Sequence, residues 1–217
     1  MPDRYTGEQL IVDFVGQNFR GMMVSLQKKY NFEMPSEEID SYVKAEEDAV
    51  IAKLEAKAQP CVGSMEVLER LHKEQKHGMA VVSSSALRRV RASIIKVDQA
   101  RFFPHEHVYS AATSLPKPTT KPDPAIYLYA MEQIGVEAKE CIAFEDSKSG
   151  ATAAVRAGIP CVAYVGSYPG EEKQKQVAKT LTDLGCKNVM WSWADFDKCV
   201  AEIEADFDRC VAEIEAM

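Results

Sequence analysis

Apolar positions recur at helical spacing in the first fifty residues, with Leu10, Phe14, Met22, Leu26 and Tyr30 near one face. The stretch PSEEIDSYVKAEEDAVIAKLEAKA follows, with Ser36 as the expected N-cap and acids in the first turn. Pro60 and Gly63 punctuate the chain, and the pattern then changes. Short apolar runs predict strands at 79–83, 107–111, 141–144, 161–165 and 188–190. Helical spacing predicts helices at 64–76, 86–96, 123–135, 148–157 and 171–184. Such alternation predicts an α/β fold, with a parallel sheet covered on both faces by helices. Ligands of such sheets bind at the carboxyl ends of the strands.

The residues expected at that rim are Ser83-Ser84-Ser85, the loop leading to Lys121, and the adjacent acids Glu145-Asp146. Hydroxyls and helix N-terminal amides donate to phosphate oxygens. A lysine adds a compact positive charge. Two adjacent carboxylates are tolerable where a hard cation such as Mg²⁺ neutralises them. Each residue also has a plainer reading. Taken alone, Glu145-Asp146 would only favour the dipole of the helix that follows, and Ser83 would be an ordinary strand-end hydroxyl. Lys117 competes with Lys121 in LPKPTTKPDP; Lys121 is preferred because it precedes the Pro-x-Pro that opens the next helix. Arg20 reads equally well as a substrate contact or a solvated side chain.

Composition changes this picture little. The 217 residues suffice for one sizeable core, or one core plus a small second domain. A net charge of −7 without a basic run argues against nucleic acid or an anionic membrane as partner. No apolar stretch has the length of a membrane span, and MPDRYTGEQ has no signal-peptide pattern. Six scattered cysteines without a CxxC pair, and four histidines, argue against a zinc site or disulfide framework. A reduced, cytoplasmic chain is expected.

The rim motifs together resemble the haloacid dehalogenase superfamily, in particular its β-phosphoglucomutase-like sugar-phosphate phosphatases and mutases. MAVVSSS resembles the second motif of that family, TKPDPAIY the third and AFEDSKSGATAAVRAG the fourth. The resemblance runs from about Val62 to Met190. It implies a Rossmann-like core at 61–193 and a helical cap at 1–60. It also implies phosphate contacts from Ser83, Ser84 and Lys121, with Ser83 and Lys121 serving catalysis, and Mg²⁺ at Glu145 and Asp146. The implied chemistry is Mg²⁺-dependent phosphoryl transfer from a small phosphorylated metabolite through an aspartyl-phosphate.

The family's first motif, an apolar strand ending in Asp-x-Asp-Gly, has no counterpart. LIVDFVGQ offers Asp13, but Val15 stands where the second acid belongs. Either it is a decayed first motif, or it belongs to the cap and the chain starts downstream of the motif. The 50 residues from Asp13 to Gly63 are short for a full cap, and this favours the second reading. Absence of the motif would leave the sheet without its central first strand, and either reading implies impaired or absent catalysis; the alternative is a non-catalytic pseudo-enzyme. At the C-terminus, residues 194–217, ADFDKCVAEIE is followed directly by ADFDRCVAEIE, identical at ten of eleven positions. The repeat sets Phe196, Val200, Ile203, Phe207, Val211 and Ile214 on one helical stripe. Self-association through this helix or through the open sheet is therefore expected.

Overall fold

The computed structural model describes Thr6, Gln9 and residues 19–215, without side chains at position 208 and from position 210 onward. The chain divides into two compact units, Met1–Lys57 and Ala58–Met217.

The described part of the first unit is a helical hairpin of α1 (Phe19–Tyr30) and α2 (Ser36–Lys57). Asn31 turns the chain with a left-handed φ of 50°, a conformation that asparagine tolerates better than most residues. The Gln27 side chain accepts from Met34 N–H at 2.7 Å and steadies the connection. Arg20 pairs with Asp40 across the two helices. Ser36 is the first helical residue rather than the cap; the Pro35 carbonyl before it receives the N–H groups of Glu38 and Ile39. Only Ile39 is buried among the described residues of the two helices.

The second unit alternates helix and strand. Its elements are α3 (Ser64–Glu74), β1 (Val81–Ser83), α4 (Leu87–Lys96), β2 (Val108–Ser110), α5 (Ala125–Ile134), β3 (Ala143–Glu145), α6 (Lys148–Arg156), β4 (Cys161–Tyr164), α7 (Glu171–Asp183), β5 (Asn188–Met190) and α8 (Phe196–Glu215). All strand pairs are parallel, as the alternation implies. One expected strand shifts: Cys141 and Ile142 precede β3, and Glu145 is its last residue, in register with Ala163.

Among the described residues the sheet falls into two ladders. β1 pairs with β2, and β3-β4-β5 form a separate ladder. Among the described residues, no strand lies on the second edge of β1 or of β3. The burial pattern reflects the break. Val81, Val82 and Ser83 of β1 are only half-buried, whereas all three residues of β2 are buried. An apolar strand of a parallel sheet covered by helices would ordinarily be buried on both faces.

Two apolar clusters cover the three-stranded ladder. One gathers Tyr127, Ala143, Ala151, Ala154, Cys161 and Leu181. The small residues of α6 allow that helix to lie close to β3 and β4. The other contains Val67, Leu71, Val162, Met190, Phe196, Cys199 and Ile203. The first copy of the eleven-residue repeat thus packs on the core. Phe207 of the second copy still reaches the same cluster, so the stripe does not leave the core at the repeat boundary; Val211 and Ile214 lie outside the described side chains. No helix among the described residues is long and apolar enough to cross a membrane.

Ile203, 3% exposed, anchors α8 to this cluster. Ile203→Ala should destabilise the chain by about 2–5 kcal/mol through lost burial and a residual cavity. Urea unfolding checks this, and a loss below about 0.5 kcal/mol would mean that α8 is not docked as described.

Candidate active site

Lys121 is the centre of the rim. Its side chain is 7% exposed, and an ammonium so buried must be neutralised and hydrogen-bonded. Three groups do this. The Val82 carbonyl of β1 accepts from Nζ at 2.9 Å. Glu145 of β3, itself 9% exposed, pairs with Nζ through Oε1. Tyr127 offers its hydroxyl at 3.4 Å and its ring face, whose centroid is 4.7 Å from Nζ. One cation therefore bridges the two strands that face the interruption.

Glu145 is equally constrained. Its Oε1 also accepts from the Tyr127 hydroxyl. Burial first, and then the Glu145 charge, raise the Tyr127 pKa well above the usual phenol range, so the hydroxyl stays protonated as a donor. The carboxylate lies over Gly150 of α6, where an added Cβ would stand 1.8 Å from Oε2. Glycine at that position is thus a steric requirement of the buried acid. Ser147 caps α6 by accepting from Gly150 N–H at 3.1 Å, which fixes the start of the helix beneath the carboxylate.

The serine loop after β1 is held from several sides. Ser83 Oγ accepts from Ser85 N–H at 3.1 Å, a local turn that leaves the hydroxyl proton free to donate. Ser84 Oγ accepts from Lys121 N–H at 3.0 Å and ties the loop to the lysine backbone. Ser110, fully buried, donates to the Ser85 carbonyl at 2.7 Å and lies 2.6 Å from Thr113 Oγ1. Thr113 Oγ1 in turn accepts from Leu87 N–H at 2.9 Å, at the start of α4.

The structure brings Ser84, Lys121 and Glu145 into one bonded network, with Ser83 at the end of β1 beside it. Lys117 is exposed. Arg20 is bonded to Asp40 within the first unit. Asp146 follows Glu145 directly but is exposed, and its carbonyl accepts from the Tyr168 hydroxyl at 2.9 Å. Asp13 lies outside the described residues. Sequence reasoning missed Tyr127, Ser110 and Thr113. Tyr127 sits six residues after Lys121, within the first turn of α5, and that spacing was its available signal.

The acid pair does not by itself fit a divalent cation. Glu145 is neutralised by Lys121 and bonded to Tyr127, which leaves Asp146 as the one exposed carboxylate of the pair. Among the described residues no group of three or more His, Cys, Asp or Glu could hold a metal ion. The arrangement can nonetheless present hydroxyl donors to an anion at the strand ends.

A family model described as "Haloacid dehalogenase-like hydrolase" matches residues 3–164. A haloacid dehalogenase-like hydrolase domain-containing protein of Arabidopsis thaliana is 39% identical over 64 residues, 30% of this chain and 20% of the relative. The phosphorylated carbohydrates phosphatase of Thermotoga maritima is 54% identical over 39 residues, 18% of each chain. The chain thus aligns with about a fifth of the length of these relatives. Among solved structures, CbbY from Rhodobacter sphaeroides in complex with phosphate superposes with a TM-score of 0.67 at 19% identity, over 88% of this chain and 80% of that one; this likeness concerns the fold.

Replacing Lys121 by Met should cost about 3–5 kcal/mol in urea unfolding, because Glu145 is left buried and unpaired. The double variant Lys121→Met, Glu145→Gln should recover part of that loss. Measured with the Glu145→Gln single variant, a double-variant loss equal to the sum of the two single losses would mean that the pair is not coupled.

Proposed function

Because the chain belongs to the haloacid dehalogenase-like hydrolase family, we propose that its rim binds the phosphoryl group of a small phosphorylated metabolite, with hydrolysis or transfer of that group as the associated chemistry. The observation that carries this reading is Lys121, buried and bonded to both β1 and β3 beside the serine loop. Its ammonium would reach a phosphoryl oxygen by exchanging its long contact to the Tyr127 hydroxyl for that oxygen. The Ser83 hydroxyl would donate to them, and Ser84 would keep the loop and the lysine in register. Sugar phosphates are the favoured substrate class. The short match to a phosphorylated carbohydrates phosphatase and the fold likeness to a phosphate-bound CbbY support this choice.

Turnover in these 217 residues is proposed to be weak. A covalent route needs a free carboxylate to attack phosphorus. Among the described residues, the carboxylate bonded to Lys121 is Glu145, which the lysine and Tyr127 already hold. A non-catalytic phosphate-binding protein is the second reading, favoured by this same commitment of Glu145. With Asp146 as the remaining acid of the pair, Mg²⁺ is proposed to bind weakly, and the chain is proposed to work in the cytoplasm. An aryl phosphate and several sugar phosphates, assayed with Mg²⁺, should give little turnover, while inorganic phosphate should raise the melting temperature of the wild type and not of Lys121→Met. Robust turnover lost on Asp13→Ala would identify a decayed first motif. Robust turnover that survives Asp13→Ala and fails on Lys121→Ala would require another nucleophile. The absence of any phosphate effect would remove the binding reading.

Self-association is proposed as well, supported by the length of α8 and by the edges of β1 and β3 that carry no partner strand among the described residues. Light scattering over a wide concentration range should show more than a monomer. Deletion of residues 205–217 should abolish this if α8 is the contact and leave it intact if the sheet edge is. A monomer at every concentration would refute the proposal.

A further inference from the structure

We propose that Cys161 and Cys186 form a reversible dithiol–disulfide pair that a small peroxide can close. The two sulfurs lie 3.5 Å apart, and the residues are 0% and 4% exposed. Cys161 opens β4 and Cys186 immediately precedes Lys187 at the approach to β5. The backbone fixes both. Lys187 N–H donates to the Cys161 carbonyl at 2.8 Å, and Cys186 N–H donates to the Leu181 carbonyl at 3.1 Å. Closure to a disulfide bond of about 2.05 Å requires the sulfurs to approach by about 1.5 Å, which side-chain rotation can supply.

The other described thiols are placed differently. Cys141 Sγ is directed at the Glu137 carbonyl at 3.4 Å, and Cys199 Sγ at the Val189 carbonyl at 3.9 Å. Cys61 is exposed. Among the described residues, only the Cys161–Cys186 pair brings sulfur against sulfur. The pair also shares its apolar cluster with Tyr127 and Ala143, so a covalent link there would sit beneath the strand that carries Glu145.

The chemistry balances with hydrogen peroxide as oxidant. Cys186 follows the exposed stretch 182–185, so it is the thiol that a small oxidant reaches first. The hydrogen bond shared with Cys161 also holds its pKa below the ordinary thiol value, which favours the thiolate. The thiolate attacks one peroxide oxygen, the O–O bond breaks, and hydroxide leaves to take up a proton as water. Cys161 then attacks the sulfenic sulfur; its proton and the departing hydroxyl form the second water. Two thiols and one peroxide give one disulfide and two waters. A dithiol reductant reverses the change.

The test is mass mapping of the full chain after mild peroxide treatment under native conditions. Trypsin separates the two cysteines into residues 157–173 and 180–187. The expected product is these two peptides joined, about 2 Da lighter than their sum, and released by dithiothreitol. In Cys161→Ala, Cys186 should accumulate as a sulfenic acid that dimedone traps, which wild type should not show. A urea-unfolded sample oxidised in parallel should give mixed pairings among all six cysteines. Reduced 157–173 and 180–187 peptides after Cys61 has been oxidised would overturn the proposal. So would the same mixture from folded and unfolded samples.

Discussion

The buried ammonium of Lys121 imposes the strictest requirement on the second unit. A charge with so little solvent access needs partners on every side. It finds them in a backbone carbonyl of β1, a carboxylate of β3 and a phenol of α5. The carboxylate must itself be accommodated, and that excludes a side chain at Gly150. The start of α6, the end of β3 and the turn into α5 are therefore positioned by one set of bonds. The rim and the packing of the strands beneath it are a single electrostatic arrangement.

This coupling explains why parts of the site were legible in the sequence and parts were not. Ser83 and Lys121 stand at boundaries that local signals mark: the end of an apolar run and the Pro-x-Pro before a helix. Glu145 reads from the sequence as half of an acid pair for a cation; its place within β3, its burial and its pairing with Lys121 were not legible. An acid after an apolar run reads as solvated, and only the lysine brought from 24 residues earlier makes its burial tolerable. Ser110 and Thr113 were invisible for a related reason. They support the serine loop from another strand, across 25 and 26 residues of chain, and no periodicity encodes that.

The overall alternation was easier to read, since helices and strands differ in the spacing of their apolar positions. The displacement of β3 by a residue or two is the ordinary uncertainty of strand ends. The terminal repeat followed its stripe as far as Phe207, and Cys199, three residues after Phe196 and four before Ile203, is buried on the same face.

The interruption of the sheet also bears on how the unit comes apart. In a continuous sheet, backbone hydrogen bonds tie every strand to its neighbours and unfolding tends to be collective. Among the described residues, the β1-β2 pair, with α4 and α5 around it, shares no ladder with β3-β4-β5. Of these residues, those that join the two are the Lys121 network and side chains such as Val82, which touches clusters on both sides. Two segments coupled in this way can open separately, each with its own amide exchange rate and its own free energy of opening. Conditions that weaken the ion pair would then loosen the smaller segment first and leave the three-stranded ladder intact.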